Sequence, residues 1–376
     1  MREDPVIKGI RDGEKALAGP ELVVLDLTNR CNLACIGCWN RSPLLSDEVH
    51  GASQPDEDLP LGLARQLIKA LAQMGVKEIN FSGGGEPLLY RGLLELVRAA
   101  SGEGVCCTIN TNFTLMDEKL LRRIIEAGTR KILVSVWAGN PEVYRSTHPG
   151  AARGAFEHVC RMLVELVKLR GESVFPRVTL VNVISSRNVP DFENMVKLAI
   201  ELGVESAWFT PVDTPLEGMN ELLLSAEQLR GLRETALRCA EKYDQLTLGD
   251  GRVFRMHQIA GFIEKISSSR AAEGYYHWDV IDTLPCYAGW VTARVRATGD
   301  VCPCCKADRF PLGNLREKDF DRIWYSERYN QFRKKAISLS KKDCYFSRIG
   351  CPRICDNWWQ MREVQARLEG EGREPR

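Results

Sequence analysis

Hydrophobic positions follow two alternating patterns between residues 21 and 212. Short runs rich in β-branched residues, such as ELVVLDLT at 21–28, are each followed by a longer segment with apolar residues at three- and four-residue steps. This alternation predicts strands that lead into helices and return parallel to one another. The predicted strands are 21–28, 78–84, 105–112, 131–138, 177–185 and 206–212, and the predicted helices are 60–74, 90–102, 117–127, 153–169 and 190–202.

Six parallel strands with intervening helices form an α/β fold, either a doubly wound sheet or a partial barrel. In both folds, ligands bind beyond the carboxyl ends of the strands. Distinctive residues follow the predicted strands at that end: Cys31 after the first, 83–87 (GGGEP) after the second, 110–112 (NTN) after the third and 135–139 after the fourth. We therefore expect the functional site on this rim.

The rest of the chain divides by composition. The predicted units are an N-terminal extension at 1–20, the barrel at 21–215, a helical linker at 216–284, a small cysteine-rich domain at 285–357, and a C-terminal helix and tail at 358–376. Residues 43–59 are a polar insertion directly after the first cysteines. A loop of this length at a functional rim is typical of a lid; the alternative is a plain surface loop.

Charge and cysteine content narrow the function classes. The net charge is +1 with Lys and Arg spread along the chain, which offers no surface for nucleic acid. No apolar run approaches the ~20 residues that span a membrane, and the N-terminus lacks the apolar core of a signal peptide. We therefore expect a cytoplasmic protein, in which the 14 cysteines bind metal or do chemistry rather than form disulfides.

The first cysteine group is Cys31-x3-Cys35-x2-Cys38. Thiolates normally hold all four irons of a [4Fe–4S] cluster. Three close ligands therefore leave one iron open to a cofactor or substrate, as an open position does at a catalytic zinc. Zinc itself is the alternative, but it usually takes paired Cys-x2-Cys units separated by a spacer. The spacing favours an iron–sulfur cluster.

With its flanking residues, this group reads TNRCNLACIGCW at 28–39 and resembles the signature of the radical S-adenosylmethionine (radical SAM) enzymes. The resemblance covers residues 21–212 and implies a partial (β/α)6 barrel of the TIM type, with its active site on the rim. It implies that the open iron chelates S-adenosylmethionine. An electron, from a donor such as flavodoxin or ferredoxin, then yields a 5′-deoxyadenosyl radical that takes hydrogen from the substrate.

The same resemblance implies which residues contact the cofactor. They are Gly83, Gly84, Gly85 and Glu86 at the methionine amino group, Asn112, Ser135, and Arg145 as a partner of the cofactor carboxylate. Phe113 replaces the family's usual glycine after Asn112. For Arg145, the alternative is an ordinary solvated charge. Val181 and Asn182 are implied near the adenine by position alone.

The second cysteine group begins Cys286-x12-Gly299-x4-Cys304, which resembles the opening of the auxiliary-cluster domain called SPASM or its shorter relative, twitch. The resemblance implies one or two further [4Fe–4S] clusters. The later cysteines depart from the full pattern, so we expect one auxiliary cluster, held by Cys286, Cys304, Cys355 and either Cys344 or Cys351. Two clusters and a structural zinc ribbon are the alternatives. The candidate metal ligands are Cys31, Cys35, Cys38, Cys286, Cys302, Cys304, Cys305, Cys344, Cys351 and Cys355.

The layout leaves the substrate open. Relatives with this layout modify peptides, proteins or small metabolites, and many peptide-modifying members carry a leader-binding domain of about 80 residues that 20 residues here do not provide. The reduced cysteine set and the possible lid at 43–59 favour a small, enclosed substrate, so we expect oxidation or rearrangement of a small polar metabolite, for example a sugar or amino sugar. The alternatives are maturation of a peptide or protein and a non-enzymatic iron–sulfur or zinc protein. Asp213 and Asp282 are candidate bases, with solvated surface charge favoured for both.

Overall fold

One open sheet organises the chain in the computed structural model, which describes residues 4–45, 56–214 and 218–370. The ten described strands lie in the order β10-β9-β8-β1-β2-β3-β4-β5-β6-β7. Their bounds are β1 Leu22–Asp26, β2 Glu78–Ser82, β3 Cys106–Thr111, β4 Lys131–Ser135, β5 Arg177–Ile184, β6 Ser206–Pro211, β7 Arg255–His257, β8 Thr292–Val295, β9 Asp300–Cys302 and β10 Gly313–Asn314. Strands β8 and β1 to β7 pair in parallel, and β8, β9 and β10 pair antiparallel. The predicted α/β partial barrel is confirmed.

Helices cover the outer face of this sheet. The α-helices are α1 Pro5–Asp12, α2 Leu61–Gln73, α3 Leu93–Gly102, α4 Glu118–Glu126, α5 Pro141–Thr147, α6 Ala155–Arg170, α7 Phe192–Glu201, α8 Ala226–Tyr243, α9 Ile259–Ile266, α10 Ala288–Val291, α11 Phe320–Trp324, α12 Glu327–Ile337, α13 Cys344–Ile349 and α14 Trp358–Glu369. In α2 the apolar stripe of Ala64, Leu67 and Leu71 is buried, as its spacing predicts. Every second residue along the strands, for example Leu25 and Phe81, points into the same core.

Two strand pairings of the sheet were not predicted. Strand β7 comes from the expected helical linker and pairs with β6. Strand β8, from the expected C-terminal domain, pairs in parallel with β1, so that Leu22 lies beside Thr292. Both strands have three or four residues, which is too short for an alternating pattern to be visible in the sequence. The consequence is that the cysteine-rich segment extends the barrel sheet and faces the same rim.

The polar insertion at 43–59 lies partly outside the described residues, which resume at residue 56. Its described end is attached by ion pairs, Asp56 to Arg41 and Glu57 to Arg316. Among the helices in the described ranges, none combines the length and the apolar character that crossing a membrane would require.

Candidate active site

A cavity of ≈ 360 Å³ opens at the carboxyl ends of the parallel strands. Its wall brings together residues from all the rim motifs and from the C-terminal segment. They include Cys31, Cys35, Cys38, Trp39, Asn40, Gly83, Gly85, Glu86, Asn112, Ser135, Trp137, Val183, Thr210, Asp213, Arg294, Cys305, Ile354 and Asp356. The convergence follows from the parallel topology, because each β-strand delivers its following loop to the same edge.

The three cysteines of the first group lie on one side of this cavity. The backbone N–H of Leu33 donates to Cys31 Sγ at 3.5 Å, and Asn112 Nδ2 lies 4.0 Å from the same sulfur. Burial raises the pKa of the Cys35 and Cys38 thiols, and that of Cys35 is raised further by its cysteine neighbours. Buried thiols become thiolates when a cation such as iron is bound. Three thiols with N–H donors aimed at sulfur therefore fit an iron–sulfur cluster.

The glycine loop packs directly on the backbone of the cysteine loop. Glu86 N donates to Arg30 O at 2.8 Å, and Asn40 Nδ2 donates to Gly84 O at 3.1 Å. A Cβ on Gly85 would lie 2.6 Å from the carbonyl carbon of Arg30. Because real Cβ atoms do not approach backbone so closely, only glycine fits at this position. The glycine loop therefore lies in direct contact with the cysteine loop, next to the place where a ligand of the cluster would bind.

The carboxylate of Glu86 is bonded to the protein around it. It is 2% exposed, and its carboxylate accepts hydrogen bonds from Thr111 Oγ1 at 2.6 Å, Asn112 N at 2.8 Å and Leu88 N at 3.1 Å. Burial raises the pKa of Glu86, which these donors oppose. The geometry makes Glu86 a positioning residue that joins the glycine loop to the end of β3. Next to it, Phe113 has the positive φ of 63° that a glycine adopts freely.

The end of β4 supplies Ser135 and Trp137 to the cavity. Trp137 has a φ of 55°, a conformation unfavourable for a bulky residue, and its carbonyl accepts a hydrogen bond from Asn188 Nδ2 at 2.9 Å. Its Nε1 is buried with no partner in the described structure. Such an unpaired donor beside the cysteines is consistent with a bound group on this wall.

Arg145 does not lie on the cavity wall. It is exposed on α5, where its neighbour Tyr144 points inward instead. Tyr144 stacks on His148 with ring centroids 4.2 Å apart, beneath the cysteine loop. Val181 and Asn182, the two residues implied near the adenine, are both buried, and neither lines the cavity. Sequence proximity to the rim therefore did not determine which of these side chains faces inward.

The wall opposite the cysteines comes from the C-terminal segment, which sequence patterns did not connect to the rim. Arg294 on β8 pairs with Asp26 on β1, through Nε at 2.9 Å and Nη2 at 2.6 Å. Arg294 Nη1 also donates to Cys305 O at 2.9 Å. Asp356 completes this wall. The one available signal was Asp26, a charged residue in an otherwise apolar strand.

Asp213 joins this wall to the cysteine loop. Its carboxylate pairs with Lys306 Nζ and, at 3.4 Å, with Arg353 Nε. Lys306 also lies 4.4 Å from the ring centroid of Trp39, whose Nε1 donates to Asp213 O at 3.2 Å. Asp213 is therefore engaged by two cations rather than poised as a free base. The other candidate base, Asp282, pairs with Lys341 at 3.5 Å and lines neither cavity.

A second cavity, of ≈ 30 Å³, lies behind the first in the C-terminal segment. Four cysteines line it: Cys286, Cys304, Cys351 and Cys355. Burial raises the pKa of the Cys286, Cys304 and Cys355 thiols to about 12. The backbone N–H of Cys355 donates to His277 Nδ1 at 2.9 Å. Four half-buried cysteines around one small space fit a fully cysteine-ligated auxiliary cluster.

The remaining cysteines of this group lie elsewhere. Cys344 is exposed, Cys302 is buried on β9, and Cys305 lines the first cavity rather than the second. Over the described ranges, no three Cys, His, Asp or Glu side chains are grouped so as to hold a single metal ion. The structure therefore places Cys351, and not Cys344, beside the other three candidate ligands.

Comparison with known proteins agrees with this geometry. Residues 25–199 match the family model of the Radical SAM superfamily, and residues 286–352 match that of SPASM, an iron–sulfur cluster-binding domain.

Individual relatives span most of the chain. A PqqA peptide cyclase of Xanthomonas campestris pv. campestris is 28% identical over 363 residues, covering 94% of this chain and 84% of that protein. An AdoMet-dependent heme synthase of Oleidesulfovibrio alaskensis is 28% identical over 338 residues, covering 86% and 79%. The crystal structure of Streptococcus suis SuiB bound to the precursor peptide SuiA has a TM-score of 0.63 at 16% identity, covering 94% of this chain and 74% of that one, and shares its fold.

Proposed function

Since this chain belongs to the radical SAM superfamily and carries a SPASM domain, we propose that it modifies a residue of a peptide or protein substrate. It is an enzyme whose cofactors are a [4Fe–4S] cluster, S-adenosylmethionine and auxiliary iron–sulfur. When bound, these supply a 5′-deoxyadenosyl radical that removes a hydrogen atom from the substrate, and an acceptor for the electron that oxidation releases. A flavodoxin- or ferredoxin-type donor in a reducing cytoplasm suits this chemistry.

The peptide assignment rests on the relative named as a peptide cyclase, and the size of the cavity agrees with it. Its ≈ 360 Å³ must hold the cofactor together with the reacting part of the substrate. A peptide can insert one side chain and leave the remainder outside, whereas a large ring system must enter as a whole. The relative named as a peptide cyclase, which aligns over 94% of this chain, supports the same assignment over the small metabolite expected from the sequence.

Each part of the cavity wall has its own role in the proposed reaction. We assign Cys31, Cys35 and Cys38 to the radical cluster, with the loop of Gly83 to Glu86 holding the cofactor beside it. The opposite wall, with Arg294 and Asp356, faces the space left for the substrate. The second cysteine set lies behind this wall, so an electron leaving the substrate has a short route to it.

The test uses anaerobically reconstituted enzyme with S-adenosylmethionine and a strong reductant. Peptides encoded by short reading frames beside the gene, and a set of sugars and amino sugars, are supplied separately. We expect 5′-deoxyadenosine together with a peptide product that has lost two hydrogen atoms by mass, and neither product with a Cys35→Ala variant. Conversion of a sugar with every peptide unchanged would contradict the proposal.

A further inference from the structure

We propose that Asp356 binds a positively charged group of the substrate, such as a lysine or arginine side chain, inside the cavity. The inference deepens the proposed function, on which its peptide context rests. Asp356 follows Cys355 directly and lies on the wall of both cavities. A substrate group held there would lie between the two cysteine sets.

The argument begins with the charges on the cavity wall. Apart from the thiols, five charged side chains line it in the described ranges, and protein groups engage four. Asp26 and Arg294 pair with each other, Glu86 accepts three hydrogen bonds, and Asp213 pairs with two cations of the C-terminal segment. For Asp356 the described structure shows neither a hydrogen bond nor an ion pair, although the residue is exposed to the cavity.

The nearby cations do not fill this role. Lys306 and Arg294 already pair with other carboxylates. Lys265 on α9 makes no ion pair with Asp356 and lines neither cavity. The carboxylate of Asp356 therefore faces the cavity without a paired cation, and a cation brought by a ligand can pair with it there.

The position of Asp356 also favours a cation over a neutral donor. The cysteines on either side, including Cys355 next to it, would bind iron as thiolates and add negative charge to both flanks. A carboxylate in such surroundings discriminates by charge, accepting a cation and repelling an anion. The same wall presents Ile354, whose apolar side chain suits the methylene stem of a lysine or arginine.

The experiment uses the reconstituted full-length enzyme loaded with S-adenosylmethionine. The probes are N-acetylated, C-amidated Gly-Lys-Gly and Gly-norleucine-Gly, which differ in the ammonium group, each with a deuterated central side chain. Affinity is measured by titration calorimetry, and deuterium in 5′-deoxyadenosine by mass spectrometry. The variants are Asp356→Asn, which keeps the shape and removes the charge, and Asp356→Glu, which keeps the charge. Asp282→Asn is the matched control, because Asp282 is a carboxylate of the same segment outside both cavities.

We expect the lysine peptide to bind at least about fivefold more tightly than the norleucine peptide, which corresponds to about 1 kcal/mol. Asp356→Asn should abolish this preference, while Asp356→Glu and Asp282→Asn retain it. Equal affinities in the unmodified enzyme, or an unchanged preference in Asp356→Asn, would overturn the proposal. Deuterium transfer reports separately on the proposed function. A charge preference without transfer from either peptide would support Asp356 as the cation site and count against peptide modification.

Discussion

Removing the Asp213 carboxylate should destabilise the whole molecule, because this group joins the barrel to the C-terminal segment. The side chains of Asp213 and Lys306 are each 6% exposed, and that of Arg353 is 19% exposed. In Asp213→Ala, the Lys306 ammonium stays buried against Trp39 without its paired carboxylate. Breaking a buried pair by removing one partner costs about 3–5 kcal/mol, and we expect a loss of unfolding free energy in this range.

The assay is urea unfolding of the reconstituted protein without oxygen, followed by tryptophan fluorescence. Asp282→Ala is the control, because its pair with Lys341 is at 3.5 Å and partly exposed, and its loss should cost less than about 1 kcal/mol. A double variant, Asp213→Leu with Lys306→Met, removes both charges and should recover most of the stability. A loss below about 1 kcal/mol in Asp213→Ala would refute the assignment of Asp213 as a buried bridge.

Three further predictions concern the cysteine sites and the aromatic cluster beneath them. Gly85→Ala should clash with the backbone of the cysteine loop and lower the bound iron from about eight to about four atoms per chain. Gly62→Ala, which has open space around its Cβ, should keep all of the iron. Unchanged iron in Gly85→Ala would contradict the packing of the glycine loop on the cysteine loop. Cys351→Ser should remove the auxiliary cluster, about four irons, while Cys344→Ser should not, and equal losses in the two variants would argue against the ligand set assigned here. Burial lowers the pKa of His148 from 6.5 to about 4, so the unfolded chain takes up its proton first as the pH falls. The contribution of His148 to the free energy of unfolding should therefore be fully present above pH 6.5 and fall by about 3 kcal/mol towards pH 4. Urea unfolding at a series of pH values should show a weaker dependence on pH in His148→Gln. An unchanged dependence in that variant would refute the prediction.

Much of the barrel could be read from the sequence because its signals are local. The predicted strand at 177–185 is observed as Arg177–Ile184, and the predicted helix at 117–127 as Glu118–Glu126. In both, the pattern of buried positions is repeated over several residues. Helix α5 and strand β7 were not predicted, since seven and three residues hold too few repeats for a period to show.

The candidate site divides in the same way. The spacing of Cys31, Cys35 and Cys38 and the glycines after β2 identified one wall, because consecutive residues of a loop stay close together in any fold. Glu86 was expected at the cofactor and does line the cavity, and the structure adds that its carboxylate accepts hydrogen bonds from backbone and threonine donors. Arg145 lies on the exposed face of a short helix that the sequence did not reveal.

The sequence by itself determined the alternation of six strands with helices between residues 21 and 212, the first cysteine set and the chemistry that three clustered thiols allow. Only the tertiary structure decided that β8 pairs with β1, and with it the second wall of the cavity. That pairing brings Arg294 to Asp26 across 268 positions of the chain, and it places Asp356 on the cavity wall. Contacts between such distant residues depend on how complete elements pack, and no local pattern of hydrophobic and polar positions records that packing.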